Sequence, residues 1–132
     1  MIDSLDMSMI LGILLGEPEW QRDAAWELLE PDSVHNIADL AISEAVYVLE
    51  YHYKQTRKEI AAEFQDFLTA HDDVLNYNRV LMKQVFPCYV SHPALSFNDC
   101  CLTCYAELNH AEPLFTFDQK LAKQLPGAKE LR

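Results

Sequence analysis

The sequence predicts a single α/β domain in which helices cover both faces of a central, mostly parallel sheet of four or five strands. Short apolar runs alternate with longer stretches of helical periodicity, the order that arises when a helix joins each parallel strand to the next. Gly is scarce and Pro is confined to a few apparent segment ends, a globular composition without the low-complexity bias of a disordered tail. The 132 residues suffice to bury about two-thirds of the unfolded surface in one core, which places 1–132 in one domain.

MIDSLD is apolar around Leu5 and reads as a strand; it leads into a helix with the stripe Met9, Ile10, Ile13 and Leu14, ended by Gly16 as a C-cap. Pro18 falls in the first turn of a second helix, whose stripe is Ala24, Ala25, Leu28 and Leu29 and which Pro31 stops. VHNIA reads as the second strand. From about Leu40 to Tyr53 the chain is apolar nearly all round, as in a helix buried against a sheet. Thr56 and Glu59 form a capping box before Ile60, Phe64, Phe67 and Leu68 at helical spacing. DVLNY reads as a short strand, Asn78 can cap the next helix, and Pro87 is expected to kink or break it. His92-Pro93 marks a loop. Ser96 or Asn98 starts the helix that carries Cys100, Cys101 and Cys104, and PLFT is a last strand before a short helix from Gln119.

Charge and cysteine content narrow the function classes. Lys and Arg number 10 against 21 Asp and Glu, a net charge of −11, which argues against tight non-specific nucleic-acid binding through a broad basic face and suits cations, a basic partner or a solvated surface. The N-terminus lacks the basic flank and cleavage site of a signal peptide, and the apolar run Met7 to Leu15 is too short to span a bilayer, so a cytoplasmic protein is expected. In a reducing compartment Cys88, Cys100, Cys101 and Cys104 are expected as free thiols in the core.

Ligands of parallel α/β folds bind outside the carboxyl ends of the strands. Asp6 ends the first predicted strand and Asp118 follows the last, while Glu44 and Asp99 each lie near the start of a helix after a connection to that edge. Carboxylates gathered there raise one another's pKa unless a cation neutralises them, and a hard divalent ion with oxygen ligands is the natural occupant.

On these residues the chain resembles a known family. SLDMSMILGILLGEPE resembles the opening block of PIN domains, a hydrophobic strand, an Asp, then Asn or Ser two residues on and an apolar helix. ISEAVYVLEYHYKQTRKEI resembles their second block, SFNDCCLTCYAEL their Asn-Asp block and LFTFDQKLAK their Thr-x-Asp block, in order and over essentially the whole chain. It departs at Met7, where the family often has Thr, and at Cys100 and Cys101, where Ala is common. The resemblance is greatest to single-domain toxins of the VapC type. It implies a PIN-like three-layer α/β/α fold and a ribonuclease that uses Mg²⁺ or Mn²⁺ to hydrolyse phosphodiester bonds of single-stranded or loop RNA. Carried over, Asp6, Glu44, Asp99 and Asp118 are the catalytic and metal-site acids, with Ser8, Asn98 and Thr116 in support. A basic antitoxin and a homodimer are the implied partners. The alternative is a PIN-fold module that binds nucleic acid or regulates a partner without cutting.

Other readings are weaker. Cys101-x-x-Cys104 lacks a second ligand pair for structural zinc and the preceding strand of a redox motif, and Cys101, Cys104, Tyr105 and Leu108 share a helical face, so core packing is expected there. A haloacid-dehalogenase nucleophile would need Asp where Ser8 stands. Trp20 and Trp26 suit a core or dimer contact better than base stacking, and the five histidines show no paired ligand spacing. Positive charge for RNA is available at Lys54, Arg57 and Lys58, at Arg79 and Lys83, and at Lys120, Lys123, Lys129 and Arg132.

Overall fold

A computed structural model describes residues 2–30 and 32–131; the expected stop at Pro31 and the cation of Arg132 lie outside the described residues. The fold is mixed α/β, and the chain divides into two compact units, Met1–Asn78 and Arg79–Arg132.

In the first unit a parallel sheet is built from β1 (Asp3–Leu5), β2 (His35–Ile37) and β3 (Leu75–Asn76), in the order β1-β2-β3. Its register opposes Asp3 to His35 and Asn36 to Asn76. The two asparagines use that register, Asn76 Nδ2 donating to Asn36 Oδ1 at 2.7 Å. His35 is fully buried, with Nδ1 against the Asp3 carboxylate and Nε2 2.9 Å from the Leu28 carbonyl. It is a satisfied core histidine, as its unpaired position in the sequence suggests.

The helices α1 (Met7–Leu15), α2 (Glu19–Leu28), α3 (Asp39–Tyr47) and α4 (Arg57–Ala70) complete this unit, α1 packing on the other three. Gly16 ends α1 as expected, at φ 68, a left-handed conformation that costs glycine nothing because it has no Cβ. The Thr56/Glu59 box is formed, and Ile60, Phe64, Phe67 and Leu68 are the buried face of α4. The segment expected to be buried all round differs. It is α3 followed by a π-helical turn, Val48–His52; Ala41, Ile42, Ala45, Val46 and Leu49 face inward, while Leu40, Tyr47, Tyr51 and Tyr53 are exposed. Trp20 and Trp26 are also exposed, which removes a core role, although Trp26 packs edge-on to His71 at 5.0 Å.

The second unit holds α5 (Arg79–Ser91), α6 (Phe97–Leu108), β4 (Leu114–Thr116), α7 (Gln119–Gln124) and β5 (Ala128–Glu130). The strands expected in one sheet of four or five are thus a three-stranded sheet and this parallel β4–β5 pair, and β5 had no signal of its own in the sequence. Hydrophobic pattern locates a short strand but not its neighbour, because pairing is a long-range choice. Pro87 does not break α5, which runs on to Ser91. The proline forgoes one backbone bond, but Ser91 Oγ donates to the Pro87 carbonyl at 2.8 Å and Phe86 and Tyr89 lock onto Phe97 of α6, with centroids 5.2 and 5.4 Å apart. Before β5, Gly127 passes so close to α6 that a Cβ would lie 2.5 Å from Glu107 Oε1.

Candidate functional site

Asp6 is the residue between β1 and α1, and it caps the helix. Its Oδ1 accepts from Ser8 Oγ at 2.6 Å and from the Met9 N–H at 3.2 Å. The Ser8 hydroxyl, then the Met9 amide, hold its carboxyl below the usual carboxylate pKa even though the side chain is exposed. Ser8 thus touches the acid it was expected to accompany. Glu44 projects to solvent from α3, the helix that packs on the one Asp6 caps.

In the second unit Asp118 repeats the first arrangement. It follows β4 and caps α7, Oδ1 accepting from the Lys120 and Leu121 N–H groups at 2.9 and 3.2 Å. Its own N–H donates to Thr116 Oγ1 at 2.9 Å, so Thr116 orients the acid through the backbone. Asp99 completes a capping box with Ser96: the Asp99 N–H donates to Ser96 Oγ at 3.1 Å and the Ser96 N–H to Asp99 Oδ2 at 3.4 Å. Asn98 stands exposed beside it. Ser96 therefore starts α6, and its tie to Asp99 is a contact that sequence reasoning missed although the S-x-x-D spacing signals it.

The four acids fall two to each unit, Asp6 and Glu44 in the first and Asp99 and Asp118 in the second. Among the described residues, no three His, Cys, Asp or Glu side chains are gathered closely enough to hold a metal ion between them. The donors nonetheless suit a hard cation. They are all oxygens, the ligand type such an ion takes, and in Asp6, Asp99 and Asp118 a single carboxylate oxygen accepts the hydrogen bonds just described. Compared with known proteins, the chain matches no protein-family model and no curated protein.

The cysteine helix is arranged differently from the expectation. Cys100 and Cys104 are buried, whereas Cys101 is half-buried and Tyr105 exposed. The helical repeat that faces α5 is Phe97, Cys100 and Cys104, not Cys101, Cys104, Tyr105 and Leu108. Both sets fit a 3.6-residue period, and packing against α5 selects between them. Cys88 of α5 reaches this face. Hydrogen bonding to Cys100 pushes its thiol up to about 11, and contact with Cys88 together with burial raises Cys104 further. A thiol raised in this way stays protonated near neutral pH, the form that is the poorer nucleophile.

Among the described residues, no helix is long and apolar enough to cross a membrane. Charge is partitioned sharply: Met1–Asn78 carries 4 Lys and Arg against 16 Asp and Glu, and Arg79–Arg132 carries 6 against 5, so −12 and +1 make up the −11.

Proposed function

We propose that the chain is a PIN-like domain, 1–132, acting as a Mg²⁺- or Mn²⁺-dependent endoribonuclease, the toxin of a VapC-type toxin–antitoxin pair in the cytoplasm. The three-layer fold with one central sheet of four or five strands belongs to this proposal. The observation that carries it is Asp6: an aspartate set directly beyond the carboxyl end of a parallel strand, favoured in its ionised form and steadied by Ser8. Asp118 after β4 repeats the placement.

Asp6, Glu44, Asp99 and Asp118 are the acids assigned to the ion. When bound, such an ion supplies an activated water and stabilises charge developing on the scissile phosphate. The protein's own part is to orient the carboxylates. Ser8 does this for Asp6, Ser96 for Asp99, and Thr116 with the α7 N-terminus for Asp118.

An antitoxin with a basic segment is the proposed partner, an Arg pairing with the acids in place of the ion, and the toxin itself is proposed to be a homodimer. The test is cleavage of a panel of structured RNAs with and without Mn²⁺, run beside calorimetric titration of Mg²⁺ and Mn²⁺. Metal-dependent cutting that Asp6→Asn abolishes is the expected result. Wild-type activity in Asp6→Asn would sink the assignment, and a chain that takes up neither ion would be the non-cutting module instead.

A further inference from the structure

The second unit brings thiols from two helices into contact. The connection from Ser91 to Phe97 is short, so α5 and α6 pack as an antiparallel hairpin, and Phe97 closes its end against Phe86 and Tyr89. Cys88 lies three residues before the end of α5 and Cys100 three residues after the start of α6. Equal spacing from the connection sets these two across from one another. The Cys88 thiol is hydrogen-bonded to the thiols of Cys100 and Cys104. All are free, Cys100 and Cys104 buried and Cys88 half-buried, so solvent reaches the group at Cys88.

Core packing by itself calls for apolar volume and not for sulfur touching sulfur. Two thiols held in contact are the reactants of a disulfide, and the fold has already restricted the motion that would otherwise keep them apart. A bond between them would close the short loop from Cys88 to Cys100 and tie α5 to the first turn of α6, where Ser96 and Asp99 form their capping box.

We propose that Cys88 and Cys100 form a reversible disulfide that staples α5 to α6 when a low-molecular-mass disulfide of the glutathione type is in excess. Cys104 packs against this bond without joining it. The Cys88 sulfur attacks one sulfur of the small disulfide; that S–S bond breaks, a mixed disulfide forms at Cys88, and the departing small thiolate takes up the proton that Cys88 lost. The Cys100 sulfur then attacks the Cys88 sulfur, the mixed disulfide breaks, and the second small thiolate leaves with the Cys100 proton. Two protein thiols are oxidised and one small disulfide is reduced to two thiols. The first step is slow near neutral pH, because burial and its thiol partners hold Cys88 protonated. The second joins groups already in contact, so the mixed disulfide does not accumulate. None of this depends on the ribonuclease reading.

The experiment equilibrates the full chain in mixtures of reduced and oxidised glutathione at about pH 8, quenches with acid, and maps the bonds by mass spectrometry. Chymotrypsin is the protease, since Tyr89 and Phe97 lie between the two cysteines. The expected product is a Cys88–Cys100 cross-link within one chain and no lasting glutathione adduct. Its equilibrium constant is expected to be about tenfold or more larger in the native chain than in urea. By linkage, the oxidised chain should then unfold at higher urea than the reduced one. Cys88→Ser should abolish the cross-link, and Cys101→Ser should keep it. A Cys88–Cys104 bond overturns the pairing. A glutathione adduct that persists at Cys88, a bond that joins two chains, or an equilibrium constant no larger than in urea overturns the site. The wild-type map decides among these outcomes, so none depends on whether a variant folds.

Discussion

Ser8 Oγ donates to Asp6 Oδ1 at 2.6 Å, and the same oxygen caps α1 through the Met9 N–H. One aspartate therefore serves the helix and the proposed site together, and substitutions can separate the two roles. Asn caps as well as Asp, so Asp6→Asn should melt close to wild type, while Asp6→Ala loses about 1 kcal/mol. Both should abolish metal-dependent cleavage. Thermal denaturation beside a cleavage assay checks this; an Asn variant that unfolds would show the charge itself to be structural.

The same contact fixes a pH dependence. The folded pKa of Asp6 is depressed, so its contribution to stability is present above the unfolded carboxylate value and is lost as pH falls through the folded one. Ser8→Ala removes the largest cause and should move the Asp6 carboxyl upward. Carbon-detected NMR titration below about pH 5 reads the shift directly, and an unmoved Asp6 would mean that the Met9 amide alone holds it.

Ser96 and Asp99 predict a contrast on α6. Ser96→Ala unmakes half of the capping box and should cost about 1 kcal/mol. Asp99→Asn keeps an acceptor oxygen for the Ser96 N–H, so it should cost less stability while removing activity. Urea midpoints of the two variants compare them, and equal losses would count against the box as a structural element.

For the cysteines the expectation follows burial. Cys100→Ala and Cys104→Ala should each cost on the order of 1 to 2 kcal/mol, Cys101→Ala less, and none should change cleavage per folded molecule. The raised pKa of Cys88 means that its thiol contributes stability below the unfolded thiol value, lost as pH rises toward about 11. Iodoacetamide at about pH 8, near the ordinary thiol pKa, should accordingly modify Cys88 in the native chain much more slowly than in urea. Rapid native labelling would refute the thiol contacts.

Much of the local structure was legible because its causes are local. The Thr56/Glu59 box, the Gly16 cap and the stripe from Ile60 to Leu68 each depend on residues close in sequence, and each is found where the sequence predicts it. The positions of Asp6 directly after β1 and of Asp118 one residue beyond β4 are legible for the same reason.

Chain pairing and facing were decided elsewhere. The helical period fits two faces of α6; the sequence favoured the one with Cys101 and Tyr105, and packing against α5 buried the one with Phe97 and Cys100 instead. Pro87 breaks a helix in isolation, yet the aromatic contacts of Phe86 and Tyr89 with Phe97 carry α5 past it. Strands of two or three residues make too few contacts to announce their neighbours, so only the tertiary structure could assign β5 to β4 and divide the strands into two sheets. It also turned Phe115 and Lys129, opposite one another in the β4–β5 register, to one exposed face. Local sequence sets what a segment is. Which surface it buries depends on partners distant in the chain, because the roughly 2 kcal/mol gained by burying one large apolar side chain exceeds the roughly 0.5 kcal/mol by which ordinary residues differ in helix propensity.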